Sequence, residues 1–580
     1  MIQYLKVTKA NETAGIPLDR SAVPADLSRV RGPADGEWCG DPLAIEADGV
    51  WGNTKKHSCW WLMCCRECQP TFTHDDIVDL LLTVRNPQLR DHLLQQFHPS
   101  PEELILYLPT LILAVSLELT ATPYQPTRWL SVADYLIDHC IHHPGLRYQF
   151  YYALLIKSQK EKPYSSLLAH FIHCLLKRHS KAVVEQMGES FKLVFALERF
   201  WVDQRHHPLV GDTVYPLDPS LTVGEIFFDQ MNKKNSSTQP IVVPVKVYPS
   251  KRERSQVVSG DRISTVGERT VIRTTTDVHP TGDATRRVAG EGTGAALGTS
   301  PDYDYAQTLT DKLTNSHQLH LMYKKEDLRR DLIVSNIIKM MDLILKRSGY
   351  DLNIITYPIL PTSPDGGLIQ LVEGCETLYN LKYKKHYSIL NYIMENNEDR
   401  RIMDVRDRFI QSTAAYCVMT YLLGIGNRHL DNIMVTEDGK LFHIDYSFVL
   451  GNDPKPLAPK MRIIPEMVEA LGGFHSKYYK RFEGLCGEIY DVLRRHATLF
   501  MNMLTPLTTL DNKFDVQRLE DEISLRFLPA EYKAQAKVHL MKTINDSTQS
   551  SNLIDLLHYQ SKEFFSPSGL YRSLRGLINL

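Results

Sequence analysis

Ten cysteines scattered through 580 residues are too few to staple a secreted scaffold. Met1-Ile2-Gln3 opens no charged-then-apolar leader, so a reducing, cytoplasmic setting is expected. Long apolar runs are missing as well. A bilayer crossing needs roughly 20 apolar residues in a row. Leu104 to Leu117 offers 14, with Pro109 inside, and the 19 uncharged residues from Phe409 to Asn427 include Gln411, Ser412, Thr413, Gly424 and Gly426. Any membrane contact is therefore expected to be peripheral. An excess of one charge is missing too: 66 Lys and Arg face 68 Asp and Glu, a net charge of -2. Nothing in that balance attracts nucleic acid, which is not expected as a partner.

Aromatic residues vanish from one stretch. Pro249 to Asp302 holds 54 residues without Phe, Trp, Tyr, Cys or Met, and its eight basic and seven acidic residues nearly cancel. Such a segment cannot bury enough apolar area to order itself and reads as a flexible insertion. Strand-like runs flank it, Ile241 to Val247 and Gln318 to Tyr323, so it reads as the expanded connection of a hairpin.

At about 150 residues per domain the length allows three or four units. Residues 1–70 show no sustained period and are expected to be irregular. From 71 to 200, helical patterns recur at short intervals, beginning with the cap-like Thr73-His74-Asp75-Asp76 and continuing over about 102–118, 131–142, 145–157 and 164–178. Serial helices of this kind suggest a solenoid-like accessory domain. Residues 201–375 mix strands with one helix (Leu332 to Leu345), with Ile354 to Leu360 and Leu368 to Val372 read as strands. From 376 to 580 helices dominate, interrupted by one hairpin.

That hairpin carries the chemistry. A helical pattern through Val405, Phe409, Ile410, Cys417, Val418, Tyr421 and Leu422 stops at Gly424-Ile425-Gly426. Asp438-Gly439 then reads as a two-residue turn between Ile433–Val435 and Leu441–Ile444. That turn would pair positions whose numbers sum to 877 and set Asn432 opposite Asp445. An amide oxygen and a carboxylate so placed suit a hard ion such as Mg²⁺, completed by phosphates and water. His429, in the adjoining loop, could act as base toward a hydroxyl. An ordinary hairpin whose Asn and Asp cap neighbouring loops has the same spacing.

Gly424-Ile425-Gly426-Asn427-Arg428-His429-Leu430-Asp431-Asn432, followed by His443-Ile444-Asp445-Tyr446-Ser447, resembles the catalytic and metal-binding loops of the phosphatidylinositol 3-kinase family. Asp453-Pro454-Lys455-Pro456 and Glu466 to Gly473 are similar to the activation segment and following helix of its class III, endosomal-type members. Tyr323 to Asp331 resembles the family's lysine-bearing strand and its Asp-Leu-Arg-Gln-Asp segment, one residue shorter. The resemblance implies a helical domain followed by a bilobal α+β kinase domain. It implies transfer of the ATP γ-phosphate to the 3-hydroxyl of phosphatidylinositol, with Mg²⁺ or Mn²⁺.

Carried over by position, Asn427, Arg428, His429 and Lys324 take catalytic roles, with Lys325 as rival to Lys324. Asn432 and Asp445 hold the metal. Ser236, Ser237, Lys324, Asp331, Tyr357, Gln370, Val372, Met434 and Ile444 bind nucleotide, and Lys455, Lys460 and Arg462 meet the lipid headgroup. The resemblance further implies peripheral action on endomembranes and leaves room for a regulatory protein subunit. Two departures stand out: Asn427 replaces the family's aspartate, and Ser447 its glycine, a loss of backbone freedom. They keep open a catalytically weak scaffold, beside a related protein kinase.

Two weaker signals remain. Leu570, Tyr571, Leu574, Leu577 and Ile578 share one face of a C-terminal helix suited either to a membrane interface or to docking on the chain itself. His57, Cys59, Cys64, Cys65 and Cys68 lack the second well-spaced pair of a zinc site, and Trp60-Trp61-Leu62-Met63 reads as buried apolar chain.

Overall fold

The computed structural model describes residues 72–121, 131–160, 164–203, 213–233, 238–249, 316–397, 402–454 and 458–548. Outside the described residues lie residues 1–70, the Cys59 to Cys68 cluster, the residues beyond Pro249 expected to form the insertion, Ser236, Ser237, Lys455 and the residues expected to form a C-terminal helix.

Among the described residues seven helices come first: α1 (His74–Thr83), α2 (Pro87–Gln96), α3 (Pro101–Ala121), α4 (Val132–His142), α5 (Pro144–Lys160), α6 (Ser165–Lys177) and α7 (Lys181–Asp203). Their starts are written in the sequence. Thr73 and Asp76 form a reciprocal capping box, Asn86 caps α2 ahead of Pro87, and Ser131 caps α4. The apolar stripes pack each helix on its neighbours, α1 on α3, α3 on α5 and α5 on α6.

A curled antiparallel sheet follows, in the order β1 (Thr213–Val214), β2 (Leu221–Ile226), β4 (Ile241–Pro249), β5 (His317–Lys324), β7 (Gly366–Gln370), β6 (Ile359–Ser363), with β3 (Asn232–Lys233) also on β4. β4 and β5 pair directly, Ile241 opposite Tyr323 and Val247 opposite His317, so the long segment between them joins neighbouring strands as expected. The strand expected over Ile354 to Leu360 begins only at Ile359. Asn353 adopts φ +55°, Pro358 has no N–H to give, and the Ile355 carbonyl is taken by the Tyr416 hydroxyl, so the run-up belongs to the other lobe.

Helix α8 (Arg329–Arg347) lies between the sheet and the helical layer. Its Asn336 amide donates to the Ile105 carbonyl at 3.2 Å, and Arg347 meets Glu103 at 2.8 Å. The second lobe contains β8 (Cys375–Thr377), α9 (Ile389–Glu395), α10 (Ile402–Leu422), β9 (Ile433–Thr436), β10 (Leu441–His443), α11 (Pro465–Ala470), α12 (Lys477–Arg494), α13 (Ala497–Leu504) and α14 (Val516–Phe527). The strands form a second sheet, β10-β9-β8, packed on α10. Helix α10 is buried nearly all round, from Phe409 and Ile410 to Tyr421 and Leu422. It fixes the depth of the loop that follows.

Candidate active site

Helix α10 ends in a Schellman motif: the Ile425 amide reaches the Thr420 carbonyl (2.9 Å) and the Gly424 amide reaches Tyr421 (3.1 Å). Gly424 sits at φ +56°, where a Cβ would come within 2.5 Å of the Gly451 nitrogen. The chain then turns onto Asn427, at φ +55°, a left-handed conformation that asparagine tolerates. Its amide donates to the Asp453 carboxylate at 2.8 Å.

Arg428, expected among the catalytic residues, has a structural role instead. The side chain is buried, Nε donates to the Gly426 carbonyl (2.8 Å), Nη1 to Ile444 (2.7 Å) and Nη2 to Asp445. With its three nitrogens on backbone carbonyls, it fastens the loop to the strand carrying Asp445 and does not reach a substrate.

The hairpin register also differs from expectation. Leu441 opposes Val435 and His443 opposes Ile433, so paired numbers sum to 876 and Asn432 faces Ile444, whose amide donates to the Asn432 carbonyl at 3.1 Å. The loop has three residues, Glu437-Asp438-Gly439, because the Thr436 amide bonds the Lys440 carbonyl and its hydroxyl accepts the Lys440 amide. Gly439, at φ +90°, supplies the left-handed residue such loops require. Asp445 follows the pairing by one residue at φ +62°, which turns it out of the strand direction beside Asn432. Asn432 is buried, and its Nδ2 donates to the Asn427 carbonyl at 3.1 Å, leaving Oδ1 as the free acceptor.

Asp445 is held by the serine read as a defect. Ser447 donates its hydroxyl (2.6 Å) and amide (3.2 Å) to Asp445 Oδ1. Ser447 is absent from the positive-φ residues, and the left-handed positions fall on Asp445, Leu450 and Gly451. The serine therefore strains nothing. Burial pushes the Asp445 carboxyl up, but the Lys324 ammonium, the Ser447 hydroxyl and Arg428 together bring it below its ordinary value.

Lys324 ends β5, opposite Gly367. Burial works against its charge, and Asp445, Asp331 and Glu326 outweigh that and raise its pKa. Lys325 instead pairs with Asp365 (3.0 Å) and Glu198 (3.6 Å). Their partners thus separate the two lysines, Lys324 on the side of the hairpin and Lys325 on that of Asp365 and Glu198. Asp331 is buried behind them and accepts the Tyr446 amide at 2.9 Å; burial raises its pKa to about 6. Tyr357 stacks on Tyr446, with ring centroids 6.4 Å apart.

Lys324, Asp331, Tyr357, Asn427, Asn432, Ile444 and Asp445 are thus brought together, with His429 half-buried at the head of the single turn Leu430–Asn432. Met434 lies half-buried opposite Thr377. Gln370 and Val372 lie where the first sheet hands over to β8; Gln370 Oε1 accepts the Tyr215 hydroxyl at 3.2 Å. Lys460 is exposed. Arg462, expected at the headgroup, is only 3% exposed and lies close enough to depress the buried His443. That burial sets it beside His443 and away from solvent, against the expected headgroup role.

Among the described residues no cluster of three or more His, Cys, Asp or Glu could hold a metal by itself. The donor set is one carboxylate kept ionised and one oriented amide oxygen, which fits a hard divalent cation bringing its remaining oxygens from phosphate and water. The sequence reading missed Arg330, which touches the Ser447 carbonyl, and Asp453; both act across long separations that local spacing does not encode.

Residues 318–512 match the family model described as phosphatidylinositol 3- and 4-kinase. The phosphatidylinositol 3-kinase pik3 of Schizosaccharomyces pombe is 27% identical over 83% of this chain and 57% of its own length. The phosphatidylinositol 3-kinase VPS34 of Saccharomyces cerevisiae is 38% identical over 43% of this chain and 30% of its own. That of Arabidopsis thaliana is 41% identical over 32% and 23%. The chain thus spans between 23% and 57% of these curated relatives.

Proposed function

Starting from the match of residues 318–512 to the phosphatidylinositol 3- and 4-kinase family model, we propose that the chain transfers the γ-phosphate of ATP to the 3-hydroxyl of phosphatidylinositol at a membrane surface. The observation that carries this is the gathering of Asn432 and Asp445 on a loop fastened by Arg428, with Lys324, ion-paired to Glu326, within electrostatic reach of Asp445. Phosphoryl transfer asks for positioning and charge neutralisation more than for covalent chemistry by the protein. Mg²⁺ or Mn²⁺ held by Asn432 and Asp445 would supply part of that neutralisation.

The chain's own groups supply the rest. Lys324 presents a permanent cation to a polyphosphate. Asp331 and Tyr357 wall the inner end of the nucleotide site, Gln370 and Val372 edge the adenine, and Met434 and Ile444 form its floor. Half-buried His429 is the base toward the inositol hydroxyl, and Arg428 holds the two halves of the loop in register. With Arg462 buried, Lys460 is the exposed cation that the described part of the activation segment offers to a headgroup. Ring phosphates need clustered cations, so unphosphorylated phosphatidylinositol is the better fit. No helix among the described residues is long and apolar enough to cross a membrane.

The test is transfer of labelled phosphate from ATP, with Mg²⁺ or Mn²⁺, to phosphatidylinositol vesicles. Product at the 3-position that disappears in Asp445→Ala supports the reading. A folded, ATP-binding protein that yields no product would leave the scaffold reading, which Asn427 favours.

A further inference from the structure

Two departures from the resembled motifs meet in space. Arg330, the second residue of α8, stands where the resembled segment has glutamine, and Ser447 where the motif has glycine. Arg330 Nη1 donates to the Ser447 carbonyl at 2.5 Å, and Nη2 to Asp511 Oδ2 at 2.9 Å. Asp511 is itself fixed, since its other oxygen accepts the Lys513 amide at 3.0 Å. Ser447 turns its hydroxyl and amide onto Asp445 Oδ1, leaving Oδ2 as the oxygen available to a cation. On the next residue of α8, Asp331 takes the Tyr446 amide. Consecutive residues of one helix thus grip the two residues that follow Asp445.

We propose that Arg330 is a positioning residue for the Asp445 carboxylate. Tethered by Asp511, its guanidinium holds the Ser447 carbonyl and thereby aims the Ser447 hydroxyl at Asp445. Only a planar fork with two separate nitrogens joins acceptors that lie 117 and 181 positions away in the chain. A glutamine carries one nitrogen and no charge. This inference rests on the reading of Asp445 as a metal ligand.

The test titrates MgATP, and separately metal-free ATP, into the full chain by calorimetry, with thermal midpoints measured alongside. Arg330→Gln is expected to weaken MgATP binding about tenfold or more, the range seen when a group orienting a metal ligand is lost. Metal-free ATP should bind as before, and Arg330→Lys should restore part of the loss. In a Ser447→Gly background, Arg330→Gln should add little. Unchanged MgATP affinity in Arg330→Gln, or an equal loss for metal-free ATP, overturns the proposal. Should Arg330→Gln melt early, Asp511→Asn decides, because it removes only the tether: a selective loss of MgATP affinity supports the proposal and an unchanged affinity overturns it. Asp445→Asn is a separate arm, since metal dependence surviving there overturns the reading of the site, whatever Arg330 does.

Discussion

The two sides of the candidate site are built from different interactions. On the hairpin side, polar groups meet backbone: Arg428 holds the carbonyls of Gly426, Ile444 and Asp445, and Asn432 holds that of Asn427. On the strand side, charges meet charges: Lys324 faces Asp445, Asp331 and Glu326. Backbone acceptors carry no proton to lose, so the first set fixes geometry over a wide pH range. The second is a small network whose charges a polyphosphate and its metal would rearrange. A site with one rigid and one responsive wall suits a reaction that must position one partner and release the other.

The sharpest way to break this comparison is to swap neighbouring lysines. Lys324→Met removes the cation facing Asp445 and should lower lipid phosphorylation by about 10²- to 10³-fold, the usual loss on removing one electrostatic donor. Lys325→Met, whose partners are Asp365 and Glu198, should leave turnover unchanged and cost under about 1 kcal/mol of stability. Parallel rate measurements on the two variants check this, and equal losses would erase the distinction between the walls.

On the rigid side, Arg428→Met strands three buried carbonyls and should destabilise the fold by about 3 kcal/mol in urea unfolding. Gly424→Ala should cost about 2 kcal/mol, because φ +56° and the Gly451 nitrogen both oppose a Cβ.

His443 gives the smallest and most diagnostic effect. Burial first, then Arg428 and Arg462, depress its pKa well below 6.5. The folded state therefore holds it neutral while the unfolded chain protonates it. Its contribution is present above pH 6.5 and is lost as pH falls below that, at up to about 1.4 kcal/mol per pH unit. Urea unfolding at several acidic pH values should show this slope in the wild type and a shallower one in His443→Phe.

Much of the architecture was legible because it is written locally. The cap at Thr73, the glycines after Leu422 and the turn at Gly439 each announce an element within a few residues. The hairpin register was not, since Asp438-Gly439 serves two-residue and three-residue loops alike, and the Thr436 bonds that decide between them are invisible in a spacing. Lys324 and Lys325 are told apart only by their partners, Glu326 for the one and Asp365 and Glu198 for the other, which a sequence does not show. Arg462 read as a surface cation because burial of an arginine depends on helices far along the chain. Ser447 read as a lost glycine when the left-handed residue is Asp445, two positions earlier.

The most direct test of the two-walled site is the paramagnetic resonance of Mn²⁺ with the protein, with and without ATP. Weak binding of Mn²⁺ alone, tight binding once ATP is present, and loss of that gain in both Asn432→Ala and Asp445→Ala are expected. Mn²⁺ held tightly without nucleotide, or an ATP-dependent signal that survives both substitutions, would contradict the two-walled site.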